Sequence, residues 1–111
     1  MTKLPGEIAI VDDTAMNVLV LEQMIRKKLK RSCITFSSGE DAVLGIEKWK
    51  RERDELGQSR RLLLLMDVNM PTMSGAEATQ RIRAMFGDAE DIRRRKEVVV
   101  IAATGQERED V

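Results

Sequence analysis

The sequence predicts an α/β fold in which helices cover both faces of an open parallel sheet. Three short apolar runs, Ile8–Val11, Leu62–Met66 and Val98–Ala103, are continuous rather than alternating. Such runs are typical of strands that are buried on both sides of a parallel sheet. Segments with helical periodicity separate the runs, and each is long enough to form the crossover that parallel strands require. The alternation of strand and helix therefore indicates a doubly wound sheet.

The first helix is predicted between Thr14 and Arg31. Basic residues crowd its last turn, where cations interact favourably with the helix dipole. A short β-prone run, Cys33–Phe36, follows it as a weaker strand. The apolar residues of this helix recur at spacings of three and four and predict one buried stripe: Val18, Leu21, Ile25 and Leu29.

Two further helices are predicted from the same periodicity, one from Gly39 to about Leu56 and one over Gly75–Phe86. Gly87 then suits a helix stop. Residues 88–96 are strongly charged and are predicted to form a solvated connection. The apolar positions of the two helices are Ala42, Val43, Ile46 and Trp49 in the first and Ala78, Ile82, Met85 and Phe86 in the second.

Composition narrows the class of protein. The 111 residues, 42% hydrophobic and 34% charged, predict a single globular domain over residues 1–111. Nineteen basic and nineteen acidic residues cancel, which removes the usual argument for nucleic acid or an anionic membrane as the main partner. The single cysteine, Cys33, and the absence of a long apolar run favour a cytosolic location without membrane insertion. The chain has no histidine, which excludes histidine-based nucleophile pairs and histidine-ligated zinc.

Polar residues follow three of the apolar runs. Asp12 and Asp13 end the first run, Asp67 ends the Leu62–Met66 run, and Thr104 follows the last. Because the carboxyl ends of parallel strands meet at one edge of a sheet, these side chains are expected to converge. Carboxylates that lie so near one another repel, unless one of them is protonated or a cation lies among them. A hard divalent cation such as Mg²⁺ is the simplest resolution.

Each of these residues also has an ordinary structural interpretation. Asp12 and Asp13 would cap the helix that begins near Thr14. Asp67 would be a turn aspartate, and Thr104 would cap the segment after it. Their joint placement at three strand ends favours the functional interpretation. A carboxylate nucleophile, a metal and a hydroxyl donor together make a chemically coherent phosphoryl-transfer site.

The segment Met66–Gly75, with the sequence MDVNMPTMSG, resembles the phosphoacceptor segment of response-regulator receiver domains. Val11–Asp13 and Ala102–Gly105 resemble the acidic pair and the threonine turn of that family. An asparagine after the acidic pair, here Asn17, resembles the pattern of receivers that are attached to hybrid histidine kinases. The resemblance implies a flavodoxin-like sheet with strand order 2-1-3-4-5. It also implies a signalling domain of a two-component phosphorelay, which takes a phosphoryl group from a phosphohistidine onto Asp67.

The resemblance assigns a role to each site residue. Asp67 attacks phosphorus and becomes an aspartyl phosphate. Asp13 and Asp67 ligate Mg²⁺ (or Mn²⁺) together with the backbone carbonyl of Asn69, and Asp12 acts mainly through metal-bound water. The resemblance also implies that the hydroxyl of Thr104 and the backbone N–H of Gly105 bind the phosphoryl group.

The implied partner is a histidine kinase or a histidine phosphotransfer protein, which would meet the strand-end edge and the first helix. Three residues of that helix either widen its core-facing stripe or form part of the docking surface, and the sequence favours neither: Met16, Val20 and Met24. No nucleic acid is expected as a partner of this domain. The family resemblance implies autocatalytic phosphorylation and dephosphorylation, without turnover of an external metabolite.

The family's site also includes a lysine at the end of a fifth strand, whereas this chain reaches Val111 soon after Thr104. We therefore expect the fifth strand and last helix to be missing, with Val98–Ala103 as an edge that a further segment or a second copy would cover. The chain alone is then expected to be marginally stable and to phosphorylate poorly. The alternatives are a degenerate receiver that acts only as an interaction module and a Mg²⁺-dependent aspartyl phosphatase. Asn69 weighs against the phosphatase, because such enzymes place a second acid there.

Overall fold

The structure is a computed structural model that describes residues 6–58, 60–88, 90–92 and 97–103. Four parallel strands form one sheet in the order β2-β1-β3-β4, which confirms the predicted doubly wound α/β architecture. The strands are β1 (Glu7–Val11), β2 (Ile34–Phe36), β3 (Leu62–Asp67) and β4 (Val98–Ala103), and the helices are α1 (Ala15–Leu29), α2 (Gly39–Glu55) and α3 (Gly75–Ala84).

The two faces of the sheet are covered unequally. Helices α2 and α3 share the larger core cluster with one face of the strands, where Leu64 and Met66 are buried. Helix α1 lies on the other face and contributes Ile25 to a cluster with β1. Within the described residues, β4 pairs with β3 alone, and its Val99 and Ile101 are 45% and 48% exposed. Among the described residues, β4 is therefore the outer strand of the sheet and carries exposed apolar side chains.

Polar side chains and backbone conformation explain where the helices begin and end. The hydroxyls of Ser38 and Ser74 accept the backbone N–H groups three residues later at 3.0 and 3.1 Å, which caps α2 and α3. Helix α1 ends at Leu29 and is capped by Lys30, whose φ of 58° lies in the left-handed region and whose N–H donates to the carbonyl of Arg26. Among the described residues, no helix has both the length and the apolar character that a membrane crossing requires.

Two expectations about these elements are wrong. Leu29, which was placed in the buried stripe, is 47% exposed, because α1 ends at this residue. Residues 88–96 do not form a loop throughout, since residues 90–92 are helical and Ile92 packs against the larger core cluster. The Asp88 carboxylate accepts the N–H of Asp91 at 2.9 Å and so caps this short turn.

The amino end of the sheet is held by a nearly buried arginine. Arg53 is 8% exposed, donates to the carbonyl of Arg60 at 2.9 Å and pairs with Glu97 at 3.2 Å. Its guanidinium also lies 5.5 Å from the centre of the Trp49 ring and 5.6 Å from that of Phe86. These contacts join the end of α2 to the segments that lead into β3 and β4, at the edge opposite the predicted site.

The packing of α2 on β2 depends on the absence of a side chain at Gly45. A Cβ at this position would lie 2.2 Å from the Phe36 ring. In an ordinary helix interior, replacing glycine with alanine gains about 1 kcal/mol. Here we expect Gly45→Ala to lower the free energy of unfolding by about 1–3 kcal/mol, because the ring must shift. Urea denaturation measures this change.

The control for this prediction is the same substitution in a Phe36→Ala background, where the clash is removed. Gly45→Ala is then expected to be neutral or stabilising. An equal loss of stability in both backgrounds would show that contact with the ring is not the cause.

Candidate functional site

Three carboxylates meet at the carboxyl edge of the sheet. Asp12 and Asp13 follow β1, and Asp67 is the last residue of β3, the neighbouring strand. One oxygen of each side chain lies within 4.8 Å of the others. Asp12 and Asp67 are each only 7% exposed, whereas Asp13 is exposed. The structure thus brings together the three acids that the sequence predicted to converge.

The surroundings of Asp67 raise the pKa of its carboxyl group. Burial raises the pKa of Asp67, and the negative charges of Asp12 and Asp13 raise it further. The N–H of Asn69 donates to Asp67 Oδ1 at 3.1 Å and opposes the rise. None of the ion pairs among the described residues includes any of the three aspartates. The cluster is therefore relieved by either a proton or a bound cation.

The donor set fits a hard divalent cation. All three side chains offer carboxylate oxygens, and Mg²⁺ is usually held by one or two carboxylates and several waters. Asn69 lies two residues beyond Asp67 in an exposed position, and the role of its backbone carbonyl as a ligand stays a prediction.

Asp12 serves the helix and the acidic cluster at once. Its Oδ1 accepts the backbone N–H of Thr14 at 2.9 Å, and its Oδ2 accepts the side-chain amide of Asn17 at 3.3 Å. Thr14 is the N-cap residue of α1, but its own side chain makes no capping hydrogen bond. The capping interpretation and the site interpretation of Asp12 are therefore compatible.

The loop after Asp67 is shaped by a close approach of two backbones. A Cβ at Gly75 would lie 2.2 Å from the carbonyl oxygen of Asp67, and the Gly75 N–H donates to the Val68 carbonyl at 3.3 Å. Only glycine lets α3 begin this close to the end of β3. The loop therefore has a steric requirement for glycine at position 75.

Sequence reasoning missed the backbone conformation of Thr72 in this loop, where the Thr72 hydroxyl donates to the Pro71 carbonyl at 2.6 Å. Thr72 has a φ of 61°, which is strained for a β-branched residue, and follows Pro71. A side-chain hydrogen bond with Thr72 lowers the pKa of Glu40, which lies in the first turn of α2. No local sequence pattern identifies a threonine in the left-handed region.

The predicted phosphate-binding groups of Thr104 and Gly105 lie outside the described residues. The last residue of β4, Ala103, pairs with Asp67 across the sheet. The roles of Thr104 and Gly105 therefore stay predictions.

An open cleft of about 450 Å³ adjoins the acidic cluster between α1 and β2. It is lined by Asp12, Asp13, Ala15, Val18, Leu19, Glu22, Thr35, Phe36 and Ser37. The edge that carries the three aspartates thus offers apolar surface as well as charge.

A model of the response regulator receiver domain family matches residues 8–111. The chain belongs to this family. Among its relatives, it is 35% identical over 81 residues to the response regulator mcs4 of Schizosaccharomyces pombe, which covers 73% of the chain. It is 38% identical over 89 residues, or 79% of the chain, to the probable histidine kinase 4 of Oryza sativa subsp. japonica. The receiver domain spans only 13% and 8% of the lengths of these two proteins.

Solved structures support the fold of the receiver domain. The receiver domain of the histidine kinase CKI1 from Arabidopsis thaliana, complexed with Mg²⁺, matches with a TM-score of 0.75 at 24% identity. The match covers 95% of this chain and 71% of that one. A CheX-CheY complex from Borrelia burgdorferi, with BeF₃⁻ and Mg²⁺, matches with a TM-score of 0.65 at 23% identity and covers 96% of this chain and 66% of that one.

We expect the stability of the metal-free receiver domain to fall as the pH rises through the raised pKa of Asp67. The folded state binds this proton more tightly than the unfolded state does, so the stabilisation is present at low pH and lost above that pKa. Urea denaturation in EDTA, from about pH 4 to about pH 8, measures the slope.

Asp67→Asn removes the titrating group and is expected to flatten this slope and to raise the stability at neutral pH. A matched substitution at an exposed aspartate, Asp41→Asn, is expected to leave the slope in place. If Asp67→Asn were less stable than the native chain at neutral pH in EDTA, repulsion among the acids would not be the dominant effect.

Proposed function

We propose that this receiver domain accepts a phosphoryl group from a phosphohistidine onto Asp67, with Mg²⁺ held by Asp12, Asp13 and Asp67. The observation that carries the proposal is the meeting of three carboxylate oxygens within 4.8 Å at the carboxyl ends of β1 and β3. Membership of the receiver family and the MDVNMPTMSG segment around Asp67 support the same assignment. The whole protein to which such a domain contributes would be part of a two-component phosphorelay.

Phosphoryl transfer depends mainly on the positions of the reacting groups and on positive charge near the phosphoryl oxygens. A carboxylate oxygen of Asp67 attacks phosphorus as the bond from phosphorus to the donor imidazole nitrogen breaks, and the imidazole leaves neutral once protonated. A bound Mg²⁺ supplies positive charge against the phosphoryl oxygens. The Asn69 N–H holds one carboxylate oxygen of Asp67, and Gly75 lets the following helix support the end of β3.

The reaction proposed is a single transfer followed by hydrolysis, so the domain is a phosphoacceptor and not an enzyme for an external metabolite. A degenerate receiver that acts only through protein contacts is the second candidate, and Mg²⁺ binding separates the two. The aspartyl phosphatase is disfavoured because Asn69 lies two residues beyond Asp67, where that chemistry uses an acid.

The partner proposed is a histidine kinase or a histidine phosphotransfer protein that docks on α1 beside the acidic cluster. Three apolar residues of α1 are spaced four apart and form an exposed stripe: Met16, Val20 and Met24, which are 65%, 47% and 49% exposed. They do not widen the core-facing stripe, so the structure removes one of the two sequence-based alternatives. Exposed apolar residues at helical spacing suit contact with an amphipathic partner helix. A cytosolic location would fit these partners and stays a prediction.

Asp67→Asn is expected to abolish Mg²⁺-dependent labelling by acetyl phosphate, because the amide is not a nucleophile. The measurement is intact-protein mass spectrometry, with hydroxylamine treatment to identify an acyl phosphate. Asp41→Asn is the matched control and is expected to label as the native chain does. Labelling that persists in Asp67→Asn, or that moves to Asp12 or Asp13, would contradict the assignment.

The docking surface predicts a separate outcome. Replacing Met16, Val20 and Met24 together with alanine is expected to slow phosphotransfer from a phosphorylated histidine phosphotransfer protein by about tenfold, since about 1.4 kcal/mol of apolar contact is lost. Labelling by acetyl phosphate is expected to be unchanged, because that donor needs no docking surface.

Leu44→Ala removes an equally exposed apolar side chain from α2 and is the control, with no expected effect on either donor. An equal loss with both donors for the α1 variant would indicate damage to the fold and not to docking.

A further inference from the structure

We propose that Asn17 is a positioning residue of the acidic site, which holds the Asp12 carboxylate in the orientation that faces Asp13 and Asp67. The inference rests on the proposed Mg²⁺ site, and it adds a residue that does not itself touch the metal or the phosphoryl group. Asn17 acts through Asp12.

The contacts of Asp12 define this role. The Asn17 amide nitrogen lies 3.3 Å from Asp12 Oδ2, and the Thr14 N–H lies 2.9 Å from Asp12 Oδ1. Both carboxylate oxygens therefore accept a hydrogen bond from the first turn of α1. A carboxylate held at both oxygens cannot rotate without breaking one of the two bonds. Asp12 is 7% exposed, whereas Asn17 lies at the surface and reaches inward to it.

The position of Asn17 on the helix explains why an amide is suited to the role. Asn17 is the third residue of α1 after the N-cap residue Thr14. In a capping box, a glutamate or glutamine at this position accepts the N–H of the N-cap residue. Here Asp12 already accepts that N–H, so the side chain at position 17 donates to Asp12 instead.

The charge of the acidic cluster also favours a neutral amide at position 17. Three carboxylates already lie within 4.8 Å of one another, and a fourth acid at position 17 would add to their repulsion. An aliphatic residue would leave Asp12 Oδ2 without its donor. Asn17 supplies a neutral donor of the length needed to reach the carboxylate. Hydrogen-bond partners of metal ligands orient those ligands, and their loss typically weakens metal affinity by about 10–100-fold.

The first test is the affinity of the full chain for Mg²⁺, measured by isothermal titration calorimetry on the native protein and on Asn17→Ala. We expect Kd to rise by about tenfold. If Asn17 had no role at the acidic site, Asn17→Ala would leave Kd unchanged. The stability of the domain would then be unchanged or increased, because alanine has a higher helix propensity than asparagine. Gln23→Ala removes an exposed amide from the same helix and is expected to bind Mg²⁺ as the native chain does.

The second test is a double-mutant cycle with Asp12. If Asn17 acts through Asp12, Asn17→Ala has no further effect on Kd in an Asp12→Ala background. Additive effects of the two substitutions would overturn the proposal. The side-chain amide signal of Asn17 in a ¹⁵N–¹H spectrum is expected to shift on Mg²⁺ addition in the native chain and to stay in place in Asp12→Ala.

The two proposals fail in different ways. If the native chain neither binds Mg²⁺ nor labels at Asp67, the proposed function is wrong, and the role of Asn17 is wrong with it. If the native chain does both and Asn17→Ala binds Mg²⁺ within about twofold of it, only the positioning role of Asn17 is wrong.

Discussion

Repulsion among three carboxylates at one edge of the sheet is the constraint on which the site depends. Parallel pairing of β1 with β3 places Asp12 and Asp13 beside Asp67, and burial of two of the three leaves little water to screen them. Burial is the main cause of the raised pKa of Asp67, and the charges of Asp12 and Asp13 add to it. Like charges held this close disfavour the fully ionised cluster, and the same electrostatics would favour a divalent cation at this position.

Contacts at both ends of the strands position the elements that carry the acidic cluster. At the opposite end of the strands, Arg53 joins α2 to the segments before β3 and β4 through the Arg60 carbonyl and the Glu97 carboxylate. At the site itself, Gly75 allows α3 to begin directly against the end of β3, and the side chains of Met70 and Met73 are buried beneath the loop. The parallel register of β1 with β3 sets the positions of the strand ends and therefore of the acids that they carry.

Much of the fold could be predicted because parallel strands that are covered by helices on both faces carry a strong local signal. The run Leu62–Met66 has no polar residue to interrupt it, and β3 differs from that prediction only by the addition of Asp67. Predictions failed where an element was decided by contacts distant in the chain. Leu29 fits the apolar spacing of α1 but lies past the area that the sheet covers, and Ile92 anchors a turn within a charged segment by packing on the core. The spacing of Met16 was compatible with either core or surface, and only the position of the sheet decided it.

By itself, the sequence determined the order of strands and helices, the acids that end β1 and β3, and the loop pattern after Asp67, because each depends on neighbouring residues along the chain. Only the tertiary structure decided the distances among the acids and the close approach of Phe36 to Gly45. These features join residues from different elements, and they require the strand order and the seating of each helix before they can form. The bond from Asn17 to Asp12 lies between the two cases, since both residues are close in sequence but its importance comes from Asp67 on another strand.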